Sequence, residues 1–258
     1  MIDDLRALAG SGPAGFSDLL RSIGQAPPDP VAGDLPELGE ATTILAVRWA
    51  SGVVMMGDRQ ATEGYSVAHR RIRKVFPADD FSAVAISGTA GLAIEMVRLF
   101  RTELEHYEKL ESTRLSLDGK ANYLARMVRN QLPLAMQGLV VVPLFAGYDE
   151  FTGSGHLFSF DVVGGRYEEQ DFAASGSGGR EARSALRAGW TEDLDRQGAL
   201  DLAMTALVVA GEQDVATAGP DLRRGIMPSV VMVDSEGYRE VPEAEVTGLA
   251  ARILEVTP

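Results

Sequence analysis

Thr42 and Thr43 open the first long apolar run of the chain, which continues through residues 44–47. A threonine hydroxyl can act as a nucleophile, and a threonine at a free N-terminus also carries an α-amine with a reference pKa of about 7.7 to 8.0. Removal of residues 1–41 would expose such an amine on Thr42, so that one residue would supply both the nucleophile and its proton acceptor. The Thr-Thr pair alone is far more typical of the ordinary start of a β-strand, so other residues must decide.

Three further features lie at fixed distances from Thr42. Asp58 follows it by 16 residues, at the end of the second apolar run, and Lys74 follows it by 32. Gly88 lies in a Ser-Gly-Thr-Ala-Gly segment that ends a third apolar run. Taken singly, these residues have ordinary explanations: a turn aspartate, part of a solvated basic run and a tight turn. The spacing favours a catalytic set only together with the wider resemblance described below.

The composition argues against several other chemistries. The chain has 24 Lys and Arg against 37 Asp and Glu, a net charge of −13, which is unfavourable for binding nucleic acid. It has no cysteine, which excludes disulfides, a thiolate nucleophile and zinc–thiolate sites. The three histidines lack the i, i+4 spacing of a helical metal pair, so we expect neither a metal nor a cofactor.

Two features of the sequence bear on location and domain organisation. No apolar stretch approaches the roughly 18 residues of a membrane span, and the first residues lack the pattern of a secretory signal, so we expect a cytoplasmic protein with no membrane partner. Residues 1–41 hold five of the twelve prolines, and residues 25–41 show no apolar periodicity. A short amphipathic helix is predicted for 16–23. We therefore expect a leader, 1–41, and one domain, 42–258.

Beyond residue 41 the apolar pattern predicts strands, two helices, strands, two helices, strands and a closing helix. The strands are predicted at 42–47, 52–57, 81–87, 139–148, 156–162, 166–173 and 229–233, and the last three helices at 180–188, 199–211 and 243–254. The first two helices begin near residues 89 and 118, with inward stripes that include Tyr107 in the first and Leu132 and Ala135 in the second. Such segregation favours an α+β fold of stacked sheets covered by helices.

With these features the chain resembles the proteasome β-subunits, which are threonine proteases of the N-terminal-nucleophile hydrolase class. The resemblance extends from Thr42 nearly to the C-terminus and is closest to the actinobacterial 20S type. Further segments that carry it are residues 98–100, 103–109, 118–122, 135–139 and 160–165. It implies the fold of that class, a four-layer αββα sandwich of two antiparallel sheets.

The resemblance also implies roles for individual residues. Thr42 would be the nucleophile, exposed by autocatalytic cleavage of the Ala41–Thr42 bond, and Asp58 and Lys74 would be its buried charged partners. A lysine ammonium near the threonine oxygen favours its alkoxide-like state, while the carboxylate keeps that ammonium charged. The Gly88 amide would be an oxyanion donor. The groups expected around the threonine amine are Ser177, Asp214 and Thr217.

The same resemblance predicts how substrate binds. An extended peptide would lie between the backbones of Thr62 and Ala90 as an added strand. The pocket positions that it implies are all apolar: Ala61, Ile72, Phe76, Ile86, Ala90 and Ile94. We therefore expect large hydrophobic side chains to be preferred at P1, the substrate residue before the cleaved bond.

The partners that the resemblance implies are other β-subunits and proteasome α-subunits. Two stacked β-heptamers would lie between two α-heptamers, a ring-shaped ATPase would act through the α-ring, and unfolded proteins would be degraded in the internal chamber.

The sequence departs from the family pattern at four positions. Ala41 replaces the usual glycine before the nucleophile, Gln60 and Val215 stand where arginine and serine are common, and Thr217 replaces serine but keeps its hydroxyl. Because of Ala41, a non-catalytic or poorly processed ring subunit stays open as an alternative. A second alternative is the subunit of the related two-component ATP-dependent bacterial protease, which shares the Thr-Thr start but is shorter and lacks a long leader.

Overall fold

The computed structural model describes residues 42–63 and 66–256. The predicted leader, its helix at 16–23 and the cleavage-site residue Ala41 lie outside the described residues. Among the residues described, no helix is long and apolar enough to cross a membrane.

The first sheet has the strand order β10-β1-β2-β11-β12, and its paired strands are antiparallel. Its strands are β1 (Thr43–Trp49), β2 (Gly52–Gly57), β10 (Phe172–Gly176), β11 (Ser229–Asp234) and β12 (Gly237–Glu240). The first two predicted strands are confirmed and form an antiparallel hairpin, with Ile44 opposite Gly57. All six residues of β2 are buried, because this strand lies in the middle of a sheet covered on both faces.

The second sheet has the order β5-β6-β7-β8-β9 and is antiparallel as well. Its strands are β5 (Val75–Asp79), β6 (Ser82–Gly88), β7 (Val141–Asp149), β8 (Ser154–Phe160) and β9 (Arg166–Glu169). A separate two-stranded sheet pairs β3 (Ala61–Glu63) with β4 (Ser66–His69).

The helices follow the predicted order. They are α1 (Ala90–Glu111), α2 (Leu117–Asn130), the short α3 (Leu132–Ala135), α4 (Gly179–Gly189), α5 (Arg196–Gln213) and α6 (Glu243–Val256). The start of α2 is capped by Ser116, whose hydroxyl accepts a hydrogen bond from the Gly119 amide at 3.1 Å.

Three buried apolar clusters separate these elements into four layers. One lies between the first sheet and helices α4 to α6, a second between the second sheet and helices α1 and α2, and a third between the two sheets. Ile44 and Leu45 show how β1 supplies two of them: Ile44 faces the other sheet and Leu45 faces the helices. The predicted αββα sandwich is confirmed.

Two details of the predicted helices are wrong. The second helix ends at Asn130 rather than continuing inward through Leu132 and Ala135, because Pro133 disfavours helical geometry at the preceding residue and starts a separate turn. Tyr107 is 38% exposed and does not join the buried stripe of α1.

Candidate active site

Thr42 lies immediately before β1, where the pairing of β1 with β10 brings residues 176–178 beside it. Thr43 is opposite Gly176 in the sheet, and the carbonyl of Thr42 accepts a hydrogen bond from the Ser177 amide at 3.1 Å. At Gly176, which has a φ of +99°, a Cβ would lie 1.6 Å from the Thr42 carbonyl oxygen, so only glycine fits here. The candidate nucleophile is therefore fixed by backbone contacts on its carbonyl side.

Lys74 and Asp58 form a buried ion pair. The Lys74 Nζ lies 2.5 Å from Asp58 Oδ1, and the two side chains are 3% and 0% exposed. Asp58 ends up here because β2 stops at Gly57, and Lys74 because it directly precedes β5. The ammonium also donates to the carbonyl of Gln60.

The remaining acceptor positions of Asp58 are filled by backbone amides. Oδ1 accepts from the Thr43 amide at 2.9 Å, and Oδ2 accepts from the amides of Gln60 at 3.0 Å and Ala218 at 3.3 Å. Removing a charge from water is costly unless its partners are replaced, and here they are. The site can therefore hold a charged lysine beside Thr42.

Thr42, Lys74 and Gly88 line one pocket. Gly88 ends β6 with a φ of +103°, and a Cβ there would lie 2.0 Å from the Val140 carbonyl oxygen. Only glycine can occupy this position. Thr42, Lys74 and Gly88, which are far apart in the sequence, therefore lie at one pocket.

The other predicted catalytic residues form a second cluster. Thr217 donates its hydroxyl hydrogen to Asp214 Oδ2 at 2.5 Å, and the Ser177 hydroxyl lies 3.5 Å from that of Thr217. Since the Ser177 amide donates to the Thr42 carbonyl, this cluster adjoins the candidate nucleophile.

Of the predicted substrate-binding residues, five line the pocket: Ala61, Ile72, Ile86, Ala90 and Ile94. Phe76 does not. Side chains alternate along β5, so that Val75 faces the other sheet while Phe76 packs against the helix-covered cluster. Thr62 is buried in β3 next to Ala61 and is not part of the pocket lining, and its predicted backbone contact with substrate stays a prediction.

The expectation of an entirely apolar lining also needs correction, because Arg73 contributes to it. Its guanidinium donates to the carboxylate of Glu240, to the Tyr238 hydroxyl at 3.0 Å and to the Val75 carbonyl at 2.8 Å. This positive charge is therefore already engaged by protein groups.

Two residues of the site were given no role by the sequence. Gln60 accepts from Lys74 through its carbonyl, donates to Asp58 through its amide and donates to the Val215 carbonyl through its side chain at 3.2 Å. Thr43 contacts both Asp58 and Thr217. The repeated threonine at positions 42 and 43 was the one sequence feature that could have indicated a role for Thr43.

The four-layer fold with Thr42 at the head of a central strand is the architecture of the N-terminal-nucleophile hydrolases. Comparison with known proteins narrows this class. Residues 39–221 match the family model described as proteasome subunit. The chain is 56% identical over 217 residues to a protein named proteasome subunit beta from Acidimicrobium ferrooxidans, covering 84% of this chain and 80% of that protein.

Two further relatives carry the same name. The protein from Jonesia denitrificans is 55% identical over 79% of this chain and 68% of its own length. The protein from Streptomyces griseus is 52% identical over 85% of this chain and 78% of its own length. The chain therefore belongs to the proteasome subunit family, as a β-type subunit of the 20S core. It is a component of a protease for protein degradation and assembles with other subunits into the proteasome core.

Proposed function

We propose that the chain is a catalytic threonine endopeptidase subunit with Thr42 as its nucleophile. The observation that carries this proposal is the buried Lys74–Asp58 pair, whose lysine lines the same pocket as Thr42. A fully buried ammonium is costly to maintain, and here the Asp58 carboxylate and the Gln60 carbonyl accept its hydrogen bonds, while three backbone amides stabilise the carboxylate.

In the proposed reaction the hydroxyl of Thr42 attacks the carbonyl carbon of the substrate. Its proton passes to the α-amine of Thr42, which later gives a proton to the leaving amine of the cleaved peptide. Lys74 stabilises the negative charge that develops on the Thr42 oxygen. The Gly88 amide donates to the oxyanion of the tetrahedral intermediate. The intermediate collapses by breaking the C–N bond, the amine leaves, and the acyl group remains as an ester on Thr42. Water then hydrolyses this ester, which releases the carboxylic acid and regenerates the Thr42 hydroxyl.

The proposed chemistry requires cleavage between Ala41 and Thr42. As long as residue 41 is attached, the nitrogen of Thr42 is an amide, which has no basic lone pair. We therefore assign residues 1–41 as a propeptide that is removed autocatalytically and residues 42–258 as the catalytic domain. The Cβ of Ala41, where glycine is usual, restricts the turn that autolysis requires and would slow this step.

Substrate would bind as an extended strand between Thr62 and Ala90, with its P1 side chain in the pocket described above. The proposed partners are proteasome α-subunits and further copies of β-subunits in heptameric rings stacked α7β7β7α7, with a ring-shaped ATPase that delivers unfolded proteins. We propose the cytoplasm as the location, which suits a chain without cysteine.

The test replaces the nucleophile in the particle assembled with its α-subunits. Thr42→Ala removes the hydroxyl and should abolish peptide hydrolysis, while Thr42→Ser keeps it and should retain measurable turnover. Thr205→Val is the matched control, since the Thr205 hydroxyl in α5 donates to the Asp201 carbonyl and Thr205 does not line the pocket. Normal turnover in assembled Thr42→Ala particles would contradict the proposal.

A further inference from the structure

The hydroxyl of Thr43 has a defined hydrogen-bond direction. Thr43 Oγ1 accepts from the Gly178 amide at 2.9 Å and lies 2.5 Å from Thr217 Oγ1. Thr217 gives its only hydroxyl hydrogen to Asp214 Oδ2, so it can take part in the 2.5 Å contact only as the acceptor. The hydrogen bonds therefore run from Thr43 to Thr217 and from Thr217 to Asp214.

The backbone of Thr43 is held by the other carboxylate of the site. Its amide donates to Asp58 Oδ1 at 2.9 Å, and its carbonyl accepts from the Asp58 amide at 3.1 Å. Thr43 is also completely buried. One residue thus connects the carboxylate that pairs with Lys74 to the carboxylate in the second cluster, and it is the chain neighbour of Thr42.

The packing around the two hydroxyls leaves no spare room. A Cβ at Gly178 would lie 2.6 Å from Thr217 Oγ1 and 2.9 Å from Thr43 Oγ1. The backbone of the 176–178 turn therefore rests directly on the pair of hydroxyls. Neither can rotate to an alternative partner without breaking a buried hydrogen bond.

We propose that Thr43 is a positioning residue for hydrolysis at Thr42. Its hydroxyl fixes Thr217, and through Thr217 the carboxylate of Asp214, relative to the amine that Thr42 gains on processing. This inference rests on the proposed function. It assigns Thr43 the orientation of Thr217 and Asp214, while Thr42 acts as the nucleophile.

The test compares Thr43→Val with Thr43→Ser in the full chain assembled with its α-subunits. Valine keeps the shape of threonine but removes the hydroxyl, whereas serine keeps the hydroxyl and removes the methyl. We expect Thr43→Val to lower kcat per processed site by about 10- to 100-fold, as the loss of a buried hydrogen bond to a catalytic group does. KM should change by less than about twofold, because Thr43 does not line the substrate pocket. Thr43→Ser should restore kcat to within about threefold.

A role limited to packing would give the opposite ranking, with Thr43→Val active and Thr43→Ser impaired, and would overturn the inference. Unchanged kcat in processed Thr43→Val sites would overturn it as well. Thr42→Ala is measured in the same experiment. If Thr42→Ala is inactive while Thr43→Val keeps its kcat, the proposed function stands and only the inference about Thr43 fails.

A second variant covers the case in which Thr43→Val particles do not assemble. Thr217→Val removes the same bond from the other side and should lower kcat to a similar extent, whereas Thr217→Ser, which keeps the hydroxyl, should lower kcat much less. Where both valine variants assemble, the double variant should be no slower than the slower single one. If the losses in kcat of the two single variants multiply in the double variant, or if the Thr217→Val particle is fully active, the hydrogen bond between Thr43 and Thr217 does not contribute to hydrolysis.

Discussion

Replacement of Gly178 by alanine tests the packing of the site with a single added methyl group. The backbone φ of Gly178 is −85°, which alanine adopts without strain, so any effect must come from the new side chain. Its Cβ would lie 2.6 Å from Thr217 Oγ1 and 2.9 Å from Thr43 Oγ1. Ordinary contacts of a Cβ are at least about 3.4 Å, so these hydroxyls must move by several tenths of an ångström.

The size of the effect follows from the cost of overpacking. An extra methyl in a tightly packed region costs about 1 to 3 kcal/mol. If the strain is relieved by separating the hydroxyls of Thr43 and Thr217, the catalytic groups are misaligned. If that misalignment raises the activation barrier by the same amount, about 1 to 3 kcal/mol, kcat should fall by about 5- to 150-fold. The assay is hydrolysis of a fluorogenic peptide by assembled particles, normalised to the number of processed subunits and accompanied by a thermal unfolding curve.

Gly179 provides the matched control one residue further along. A Cβ there would meet the backbone of Ala174 no closer than 3.5 Å, which is ordinary van der Waals contact. Because Gly179 is the first residue of α4, alanine should leave the Tm unchanged or raise it, with kcat unchanged. Equal kcat for Gly178→Ala and the wild type would refute the packing argument.

Three further predictions concern the charged groups and the pocket. Lys74→Met should abolish peptide hydrolysis and destabilise the subunit by about 3 to 5 kcal/mol, because the Asp58 carboxylate stays buried without its partner. Substitution of the exposed Lys109 by Met should change neither property. Normal turnover of assembled Lys74→Met particles would contradict the catalytic role of Lys74. Peptides with Leu, Phe or Tyr at P1 should be cleaved at least about tenfold faster than peptides with Arg at P1. A buried cation finds no free carboxylate in the pocket, whereas burial of an apolar side chain gains roughly 1.5 to 3 kcal/mol. Equal rates would refute this expectation. Burial opposes ionisation of Asp79, but the Lys120 ammonium and hydrogen bonds outweigh it and hold the pKa of Asp79 below its ordinary value of 3.8. Its stabilisation is therefore present above about pH 3.8 and is lost as the pH falls through the lower folded-state pKa, so the Tm difference between wild type and Asp79→Asn should shrink in that acid range; a constant difference from pH 7 to strong acid would contradict it.

The buried pair of Lys120 and Asp79 also affects the choice of controls. From the sequence, Lys120 looks like one more surface lysine of a helix. Its Nζ instead lies 2.5 Å from Asp79 Oδ2, and the side chain is 5% exposed. A lysine substitution meant to leave the protein unperturbed must therefore use an exposed residue such as Lys109, which lies in the last turn of α1.

The apolar pattern was sufficient to predict the central strands, because strands covered on both faces are nearly continuous apolar runs. It was insufficient for β5, which contains Pro77 and Asp79, and for the short strands β3, β4 and β12. Each of these strands is formed by pairing with its neighbour along the chain, as where Asp234 lies opposite Gly237. Local composition does not encode that pairing.

The site was predictable to a similar extent. The residues that carry charge or a nucleophile could be found from their spacing and from the resemblance, since chemistry restricts their type. The contacts of Thr43 and Gln60 could not, because they depend on which distant segments meet: Gly176 lies opposite Thr43, and the Gln60 side chain reaches the Val215 carbonyl. The orientation of Phe76 away from the pocket likewise depends on which face of β5 meets the helices.

The central claim is that Thr42 becomes the N-terminal residue of an active subunit. The most direct measurement is the intact mass and N-terminal sequence of the subunit isolated from assembled, peptidase-active particles. We predict a sequence that begins Thr-Thr-Ile and a mass about 4 kDa below the 27.6 kDa of the full chain. An active particle in which every subunit keeps residues 1–41 and the full mass would contradict the assignment of Thr42 as the nucleophile.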